Sequence, residues 1–241
     1  MTENLIKPRD LDWHPQPFAK DYRSTHLRAP AHARLHYAPT ATEMTGPAFG
    51  HAMLGENDDD LIVNYAAAGQ SAIGPRIIIH GTLRDEDGRP VPDKLIEVWQ
   101  ANAGGRYRHK KDGYTAPLDE NFGGCGRCIT GADGAYSFRT IVPGAYPWPN
   151  GGNDWRPAHI HFSVFGDGFA QRLITQMYFE GDPHIALCPI VQSIPDAAAI
   201  DRLIARLDMN KTIPMDIRAY RFDIVLRGRS ATPFENQLEG T

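Results

Sequence analysis

Two histidines separated by one residue, His159 and His161, lie near the start of the apolar segment AHIHFSVFG at residues 158–166. In a β-strand the side chains of residues i and i+2 point to the same face, about 6.5–7 Å apart along the chain. Imidazole is a common metal ligand, so such a pair could hold a metal ion. The alternative is a pair of hydrogen-bonded histidines on a half-buried strand, and the His-x-His pattern alone does not decide between the two.

A charged residue and a long loop precede this pair. Arg156 lies three residues before His159, at the end of PGAYPWPNGGNDWRP (143–157), which is rich in Gly, Pro and Asn. Burying a charge at the start of a strand is costly unless a partner compensates it, so we expect a charged ligand or cofactor nearby. A structural ion pair is the alternative interpretation.

Two tyrosines could supply further ligands. Tyr107 lies in GGRYRHK and Tyr146 in GAYPWPN, each in a long loop whose glycines allow close approach of the backbone. Two loops of this length in one compact domain are unusual and often functional. A single tyrosine is more often a packing residue that hydrogen-bonds through its hydroxyl, so these two gain significance in combination with the histidines.

Segments that contain these residues closely resemble the intradiol ring-cleavage dioxygenases. They are WQANAGGRYRHK, GRC, YSFRTIVPGAYPWPN, DWRPAHIHF and ITQMYFEGDP, and the similarity extends from DYRST (21–25) to YRFDIVLRG (220–228). Within the family, the chain is most similar to the iron-bearing (beta) chains of members with two kinds of subunit. The resemblance implies O2-dependent cleavage of protocatechuate (3,4-dihydroxybenzoate) between its hydroxyls, giving 3-carboxy-cis,cis-muconate in the β-ketoadipate pathway of aromatic catabolism.

The resemblance also implies the metal and its ligands. Tyr107, Tyr146, His159 and His161 would hold one Fe(III) per chain, and hard phenolate oxygens suit a hard ferric ion. The charge of the ion would allow phenols with an ordinary pKa of about 10 to lose their protons. Ferrous oxygenases more typically use two His and one carboxylate, and neither histidine here is followed by a suitably placed Asp or Glu. When the substrate chelates, Tyr146 would dissociate and accept a proton.

Matching positions in the family imply roles for further residues. Arg156 would stabilise the negative charge that develops on the substrate ring, because a guanidinium stays charged when buried. The weaker assignments are a hydrogen bond near Arg156 from Gln176, the O2-side pocket for Ile190, a wall of the ring site for Trp148, and the substrate carboxylate for Tyr22. Each of these four could equally be a packing residue.

A partner is implied as well: an alpha chain that lacks the iron ligands and completes the substrate pocket in a higher hetero-oligomer of alpha–beta units. Three alternatives stay open. The chain could cleave catechol or hydroxyquinol, although those relatives carry a helical N-terminal region and residues 1–72 here are Pro-rich and poorly periodic. It could be a non-catalytic β-sandwich partner subunit, although all four ligand positions are filled. It could also be a zinc hydrolase.

Two other features are interpreted as structural. Cys125 and Cys128 form a C-x-x-C pattern, but a zinc site usually needs a second such pair, and a redox pair belongs at the start of a helix in an α/β unit. The remaining histidines, His80 and His109 among them, lack partners at a useful spacing and are interpreted as loop or surface residues.

Composition limits the function classes. The chain has 241 residues, 41% of them apolar and 22% charged, which are values typical of a globular protein. A formal net charge of -4 argues against nucleic acid or an acidic membrane surface as the partner. No apolar run reaches the roughly 18–20 residues of a membrane span, and the N-terminus has no apolar signal region. With three cysteines and no disulfide framework, we expect a cytoplasmic protein.

The elements that must position these residues form an all-β pattern. Residues 1–72 predict an ordered arm that wraps the core or a partner chain, because aromatic residues are scattered through them. Residues 73–241 predict a catalytic β-sandwich with long active-site loops at 102–128 and 143–157. Strands are predicted at 76–85, 94–101, 131–141, 158–166, 173–181 and 220–228, the first two as a hairpin-like pair. One helix is predicted at 194–210, with Asp196 as its N-cap.

Overall fold

The structure is a computed structural model and describes residues 21–22, 53–151, 154–166 and 172–233. Its strands are β1 (Arg76–Arg84), β2 (Leu95–Gln100), β3 (Cys125–Ile129), β4 (Ala135–Ile141), β5 (Tyr146–Pro147), β6 (Trp155–Arg156), β7 (His159–Phe165), β8 (Arg172–Phe179), β9 (Ile204–Leu207), β10 (Arg218–Arg221) and β11 (Ile224–Val225). Its helices are a 3-10 helix (Ile185–Leu187), α1 (Pro189–Gln192) and α2 (Ala197–Asp201). The predicted all-β class is confirmed, and most of the predicted arm at 1–72 lies outside the described residues.

Two layers of strands share β9. In the first layer β1 is antiparallel to β4 and parallel to β10 and β11. In the second layer β2 lies between β3 and β7, and β7 pairs with β8, all antiparallel. Because β9 is antiparallel to β10 and parallel to β8, it joins the layers along one side, and the sheet nearly closes into a barrel.

An aromatic cluster fills the space between the layers. Phe138 of β4 and Phe162 of β7 are almost fully buried, with ring centroids 6.3 Å apart, and Phe222 lies 5.2 Å from Phe162. Leu61 and Ile62, from the chain segment before β1, are buried in the same core. Burying each such side chain stabilises the fold by roughly 1.5–3 kcal/mol, so the core face of β7 fixes this strand in register.

The predicted pairing of the first two strands is wrong. β1 pairs with β4, β10 and β11, whereas β2 pairs with β3 and β7 in the other layer. The chain does turn back after β1, since the Val91 amide donates to the Leu83 carbonyl at 3.0 Å. Pro90 and Pro92 have no amide hydrogen to extend this pairing, so the chain leaves β1 and crosses to the second layer.

The predicted helix at 194–210 is wrong over its second half. Asp196 is the N-cap, as predicted, and its side chain accepts from the Ala198 amide at 3.0 Å. The helix ends at Asp201, however, and Ile204–Leu207 forms β9. Apolar side chains at helical spacing are present there, but pairing with β8 and β10 satisfies more backbone groups, and tertiary context overrides helix propensity.

β3 begins inside the segment predicted as one long loop, 102–128, and overlaps its last four residues. Its sequence, CGRCI, lacks the run of β-branched residues by which strands are predicted. Gly126 allows the chain before β1 to pack against it, because a Cβ at this position would lie 2.3 Å from Leu61 Cδ1. The structure also corrects the interpretation of His80, which is buried on β1. None of the helices within the described ranges has the length and apolar character needed to span a bilayer.

Candidate active site

The alternation of side chains along β7 separates core residues from site residues. Ile160 and Phe162 point into the core between the layers and are almost fully buried. His159 and His161 therefore point to the opposite face, as the His-x-His spacing predicts. Their rings lie together on that face, with centroids 4.9 Å apart.

The strands on either side of β7 place three more side chains on this face. Tyr178 of β8 is in register with His159, and Gln176 of β8 with His161. On the other side Trp99 of β2 is in register with His161, and the two rings stack with centroids 4.7 Å apart. Cross-strand neighbours on one face are in contact, so these side chains fix the two imidazoles laterally.

The loop after β2 carries Tyr107 and is held by short polar side chains. The Asn102 carboxamide oxygen accepts from the amides of Gly104 and Arg106, at 2.9 Å and 3.0 Å. The Asp112 carboxylate accepts from the Tyr107 amide at 2.8 Å. These bonds replace a regular ladder in the loop and hold the Tyr107 backbone in place.

Tyr146 lies in β5, in register with Arg156 of β6. Its loop packs so closely on the Tyr107 loop that two glycines are required. A Cβ at Gly105 would lie 2.4 Å from the Ala145 carbonyl oxygen, and a Cβ at Gly144 would lie 2.5 Å from the Ala103 carbonyl oxygen. This close approach brings the rings of Tyr107 and Tyr146 together edge to face, with centroids 5.6 Å apart.

The two phenol oxygens meet at one nitrogen of His159. Tyr107 Oη lies 3.4 Å and Tyr146 Oη 3.5 Å from His159 Nε2. The other ring nitrogen, Nδ1, lies 2.7 Å from the Pro157 carbonyl oxygen. Because a carbonyl can only accept, Nδ1 carries the hydrogen, and in the neutral ring Nε2 presents a lone pair to the two phenols.

The surroundings of His159 keep its ring neutral. Burial lowers the pKa of His159 well below its ordinary value, and electrostatic interactions with Arg156 and His161 lower it further. A metal binds only the unprotonated nitrogen of imidazole. The side chain is therefore already in the form that a metal ligand needs.

The donor set fits a metal ion of the ferric type. At 3.4 and 3.5 Å the phenol–imidazole separations are long for hydrogen bonds, whose usual range is about 2.5–3.2 Å. They match the spacing of two ligands on one ion, since bonds of roughly 2.0–2.1 Å at open angles separate the donors by about 3–3.5 Å. Among the described residues no group of three or more His, Cys, Asp or Glu side chains could hold a metal, and the candidate donors at this site are two phenol oxygens and two imidazoles.

Arg156 borders the two tyrosines and is almost fully buried. Its guanidinium donates to the Gln176 side-chain oxygen, and its Cζ lies 5.7 Å from the centre of the Trp148 ring. Tyr22 also packs against Trp148, with ring centroids 5.2 Å apart. The structure therefore brings Tyr22, Trp148, Arg156 and Gln176 into one neighbourhood beside the histidines.

The pKa of the Arg156 guanidinium lies above its ordinary value. Burial would lower it, but electrostatic interactions with Tyr178, Tyr146, Cys188 and Tyr107 together raise it by more. The guanidinium therefore stays charged in a site from which most water is excluded.

Ile190 is one step further from the histidines. It lies in α1 and packs, partly buried, against a small apolar cluster that includes Tyr178 and Cys188. The Tyr178 ring is 6.0 Å from His159, so Ile190 reaches the site through that ring.

Three residues of the site, Tyr178, Trp99 and Asp112, are not predicted by the sequence motifs. Tyr178 is fully buried, and its hydroxyl donates to the Gln176 side-chain oxygen at 3.0 Å. Its position two residues after Gln176 on a strand was a usable signal, because i and i+2 share a face. Trp99 and Asp112 act through strand register and loop closure, which no local pattern reveals.

Cys125 and Cys128 are free thiols on β3, the first exposed and the second buried. Burial raises the pKa of the Cys128 thiol to about 12, so at neutral pH it is an unreactive apolar group. Within the described ranges neither belongs to a group that could hold a metal. This placement agrees with a structural role.

The fold and this site define a class of enzyme. A family model described as "Dioxygenase" matches residues 44–228, and the chain therefore belongs to this dioxygenase family. The resemblance to the intradiol ring-cleavage dioxygenases is confirmed by relatives along nearly the whole sequence. The protocatechuate 3,4-dioxygenase beta chain of Burkholderia cepacia is 50% identical over 234 residues, which cover 97% of this chain and 99% of the relative.

Two further matches have lower identity and cover less of the chain. The protocatechuate 3,4-dioxygenase alpha chain of Pseudomonas putida is 34% identical over 166 residues, covering 68% of this chain and 77% of that one. A solved structure of catechol 1,2-dioxygenase from Acinetobacter sp. ADP1 matches with a TM-score of 0.52 at 25% identity, covering 88% of this chain and 69% of that one. Similarity to the beta chain is thus higher and more complete than to either of the other two.

Proposed function

We propose that this chain catalyses the cleavage of protocatechuate by O2 between its two adjacent hydroxyls, giving 3-carboxy-cis,cis-muconate, as the iron-bearing chain of an alpha–beta enzyme. The observation that carries the proposal is the meeting of two phenol oxygens at the Nε2 lone pair of His159, with His161 beside it. The 50% identity to a protocatechuate 3,4-dioxygenase beta chain over almost the full length supports the choice of substrate.

One ferric ion per chain would be held by Tyr107, Tyr146, His159 and His161. When bound, it would draw the substrate's two hydroxyl oxygens to the site as phenolates and make the ring reactive toward O2 at carbon. Hard phenolate ligands favour the ferric state, and two neutral imidazoles add no charge. The pocket formed by these four residues thus suits a dianionic ortho-diphenol as an incoming ligand.

The two tyrosines have different tasks. Tyr107 is tied down through its backbone amide by Asp112, so it serves as a fixed ligand. Tyr146 lies beside Arg156 in a two-residue strand, at the boundary between the histidines and the Arg156 neighbourhood. Its phenolate oxygen takes a proton from a substrate hydroxyl, and the Arg156 charge stabilises the negative charge that remains on the substrate.

Three buried hydrogen-bond donors next to the histidines would be stabilised by an acceptor. Arg156 Nε, Gln176 Nε2 and Trp148 Nε1 are all buried and have no hydrogen-bond partner among the described residues. A buried donor without a partner is costly, by about 1–3 kcal/mol each. Oxygen atoms of a bound substrate, and of the dicarboxylate product, would remove that cost.

An alpha chain is proposed as partner, since relatives of this chain include both kinds of subunit. Tyr22 reaches Trp148 from the N-terminal part of the chain and marks the side on which the carboxylate of the substrate would lie. The alpha chain would supply the remainder of that pocket. This arrangement distinguishes protocatechuate from catechol, which has no carboxylate.

The test is to produce the chain with and without its alpha partner and to follow O2 uptake with protocatechuate and catechol side by side. We expect a burgundy protein with about one iron per chain, consuming protocatechuate at least about 100-fold better than catechol, since a site that pairs with a substrate group discriminates strongly against its absence. His161→Ala should lose iron and colour, whereas His109→Ala, which alters an exposed histidine near Tyr107, should keep both. A colourless wild-type protein, or faster turnover of catechol, contradicts the proposal.

A further inference from the structure

The peptide group between Pro157 and Ala158 has protein partners on both sides. Its carbonyl oxygen accepts from His159 Nδ1 at 2.7 Å, and its amide hydrogen is donated to Asp182 Oδ2 at 2.9 Å. A peptide group is planar, and its C=O and N–H point in opposite directions. Fixing the N–H therefore fixes the direction of the C=O that holds the imidazole.

Asp182 is itself firmly placed. It lies in the turn after β8, and its side chain is 13% exposed. The second oxygen, Oδ1, accepts from both the backbone amide and the Nδ1 of His184, at 2.9 Å and 2.8 Å. With one oxygen held by His184, the other is oriented toward the Ala158 amide.

The Asp182 carboxylate accepts its hydrogen bond just beyond the end of the backbone ladder between β7 and β8. The last backbone pair of that ladder joins His159 to Tyr178, and Ala158 lies just outside it. Pro157 has no amide hydrogen, so backbone pairing cannot continue along this segment. Asp182 is the acceptor for the Ala158 amide and therefore sets the angle of the peptide that precedes His159.

We propose that Asp182 is a positioning residue for His159, acting through the Pro157–Ala158 peptide. The Asp182 carboxylate accepts from the peptide N–H, and the C=O of the same peptide accepts from Nδ1–H of His159. These two hydrogen bonds hold the ring in one tautomer and direct the Nε2 lone pair toward Tyr107 and Tyr146. Groups outside the ligand set that orient a metal-binding histidine usually touch it directly, whereas here one peptide group lies between. The proposal rests on the proposed function only in taking Nε2 as an iron ligand.

The experiment compares Asp182→Ala and Asp182→Asn with the same changes at Asp60. Asp60 is a close match: its side chain is 11% exposed, it accepts from the Ile62 amide at 3.1 Å, and it pairs with Arg139, remote from the histidines. Two measurements are made on the full-length chain. One is the imidazole nitrogen chemical shifts of His159 in metal-free protein with labelled histidine. The other is the rate at which a chelator removes iron, followed by the colour of the loaded protein.

We expect Asp182→Ala to replace the single Nδ1–H tautomer of His159 by a mixture and to weaken iron retention about 10–100-fold, the usual effect of removing an outer partner of a metal ligand. Asp182→Asn keeps one acceptor oxygen and should fall between wild type and Asp182→Ala. The Asp60 variants should resemble wild type in both measurements, whatever stability they lose.

An unchanged His159 tautomer in Asp182→Ala overturns the proposal, as does iron retention equal to that of the Asp60 variants. The His159 tautomer is measured in metal-free protein, so failure of this proposal can be distinguished from failure of the proposed function. In that case wild type binds no iron, yet the shifts still report whether Asp182 orients the ring.

Discussion

The two tyrosines of the site differ in how the surrounding chain supports them, and this difference predicts different effects of losing each hydroxyl. Tyr107 is anchored by a hydrogen bond between its amide and Asp112. Tyr146 lies in a two-residue strand beside Arg156 and is the proposed proton acceptor for the incoming substrate.

Tyr146→Phe should therefore leave iron bound but slow substrate binding roughly 100-fold, the lower range of what a positioned proton acceptor contributes. Stopped-flow spectroscopy of the iron colour after mixing with protocatechuate measures this rate. Tyr136→Phe is the matched control, because Tyr136 is also buried and its hydroxyl donates to the Phe222 carbonyl, away from the site. Equal binding rates in Tyr146→Phe and wild type would remove the assigned role.

Individual residues were predictable from the sequence where a short-range rule applies. The shared face of His159 and His161 follows from strand periodicity alone, and Asp196 follows from helix-capping preference. The convergence of Tyr107 and Tyr146 on His159 was expected only from resemblance to a family. No spacing rule reports that loops 39 residues apart in sequence will pack on each other (146 − 107 = 39).

At the scale of elements, the loops that carry Tyr107 and Tyr146 pack closely on each other through their backbones. Gly105 has a positive φ of 83°, and its α-carbon faces the Ala145 carbonyl. Glycine is required there for two reasons: the left-handed conformation and the missing Cβ. The distance between the two phenols thus depends on a residue that cannot itself bind metal.

Gly105→Ala should lose most bound iron while the sandwich stays folded. Its Cβ would lie 2.4 Å from the Ala145 oxygen, which forces the Tyr107 and Tyr146 loops apart. Gly88→Ala is the control: its φ is 79°, and a Cβ there would meet nothing within 4 Å. Both variants carry the left-handed strain of about 1–2 kcal/mol, so a difference between them reports the clash. The measurements are the iron content per chain and the circular dichroism spectrum of each variant. Equal iron content in the two variants would refute the predicted effect of the clash.

The strand and helix errors of the sequence analysis share one physical origin. Residues 204–207 have apolar side chains at helical spacing, yet they form β9 because both neighbouring strands offer open edges. The strand predicted at 94–101 is present as β2, but in the other layer. Periodicity predicts which residues are buried, whereas pairing partners are decided by long-range contacts and by the prolines between strands.

For the whole molecule, β9 connects the two layers, and a buried histidine beside a carboxylate lies next to this connection. His80 of β1 places Nε2 3.0 Å from Asp208 Oδ2, just after β9. Burial lowers the pKa of His80, with Lys211 acting in the same direction, while Asp208 opposes both. The net effect is that the folded protein resists protonation of this histidine.

Stability should therefore fall as the pH drops below about 6.5, where an unfolded histidine takes up a proton that folded His80 still refuses. The loss continues until the pH passes the folded pKa. Its slope for one group is at most about 1.4 kcal/mol per pH unit. Urea unfolding of metal-free protein between pH 5 and 8 measures it. His80→Gln should reduce the slope, and His109→Gln, at an exposed position, should not. Equal slopes in wild type and His80→Gln would contradict the assignment.

The two faces of β7 have different roles: its odd-numbered residues include the two imidazoles, and its even-numbered residues fill the hydrophobic interior. A slip of one residue would send His159 and His161 into the interior and expose Ile160 and Phe162 to the ligand-bearing loops. No misaligned version of the strand can assemble the ligand set. Under the proposed function, only molecules whose strands have the correct alignment would bind iron and show its colour.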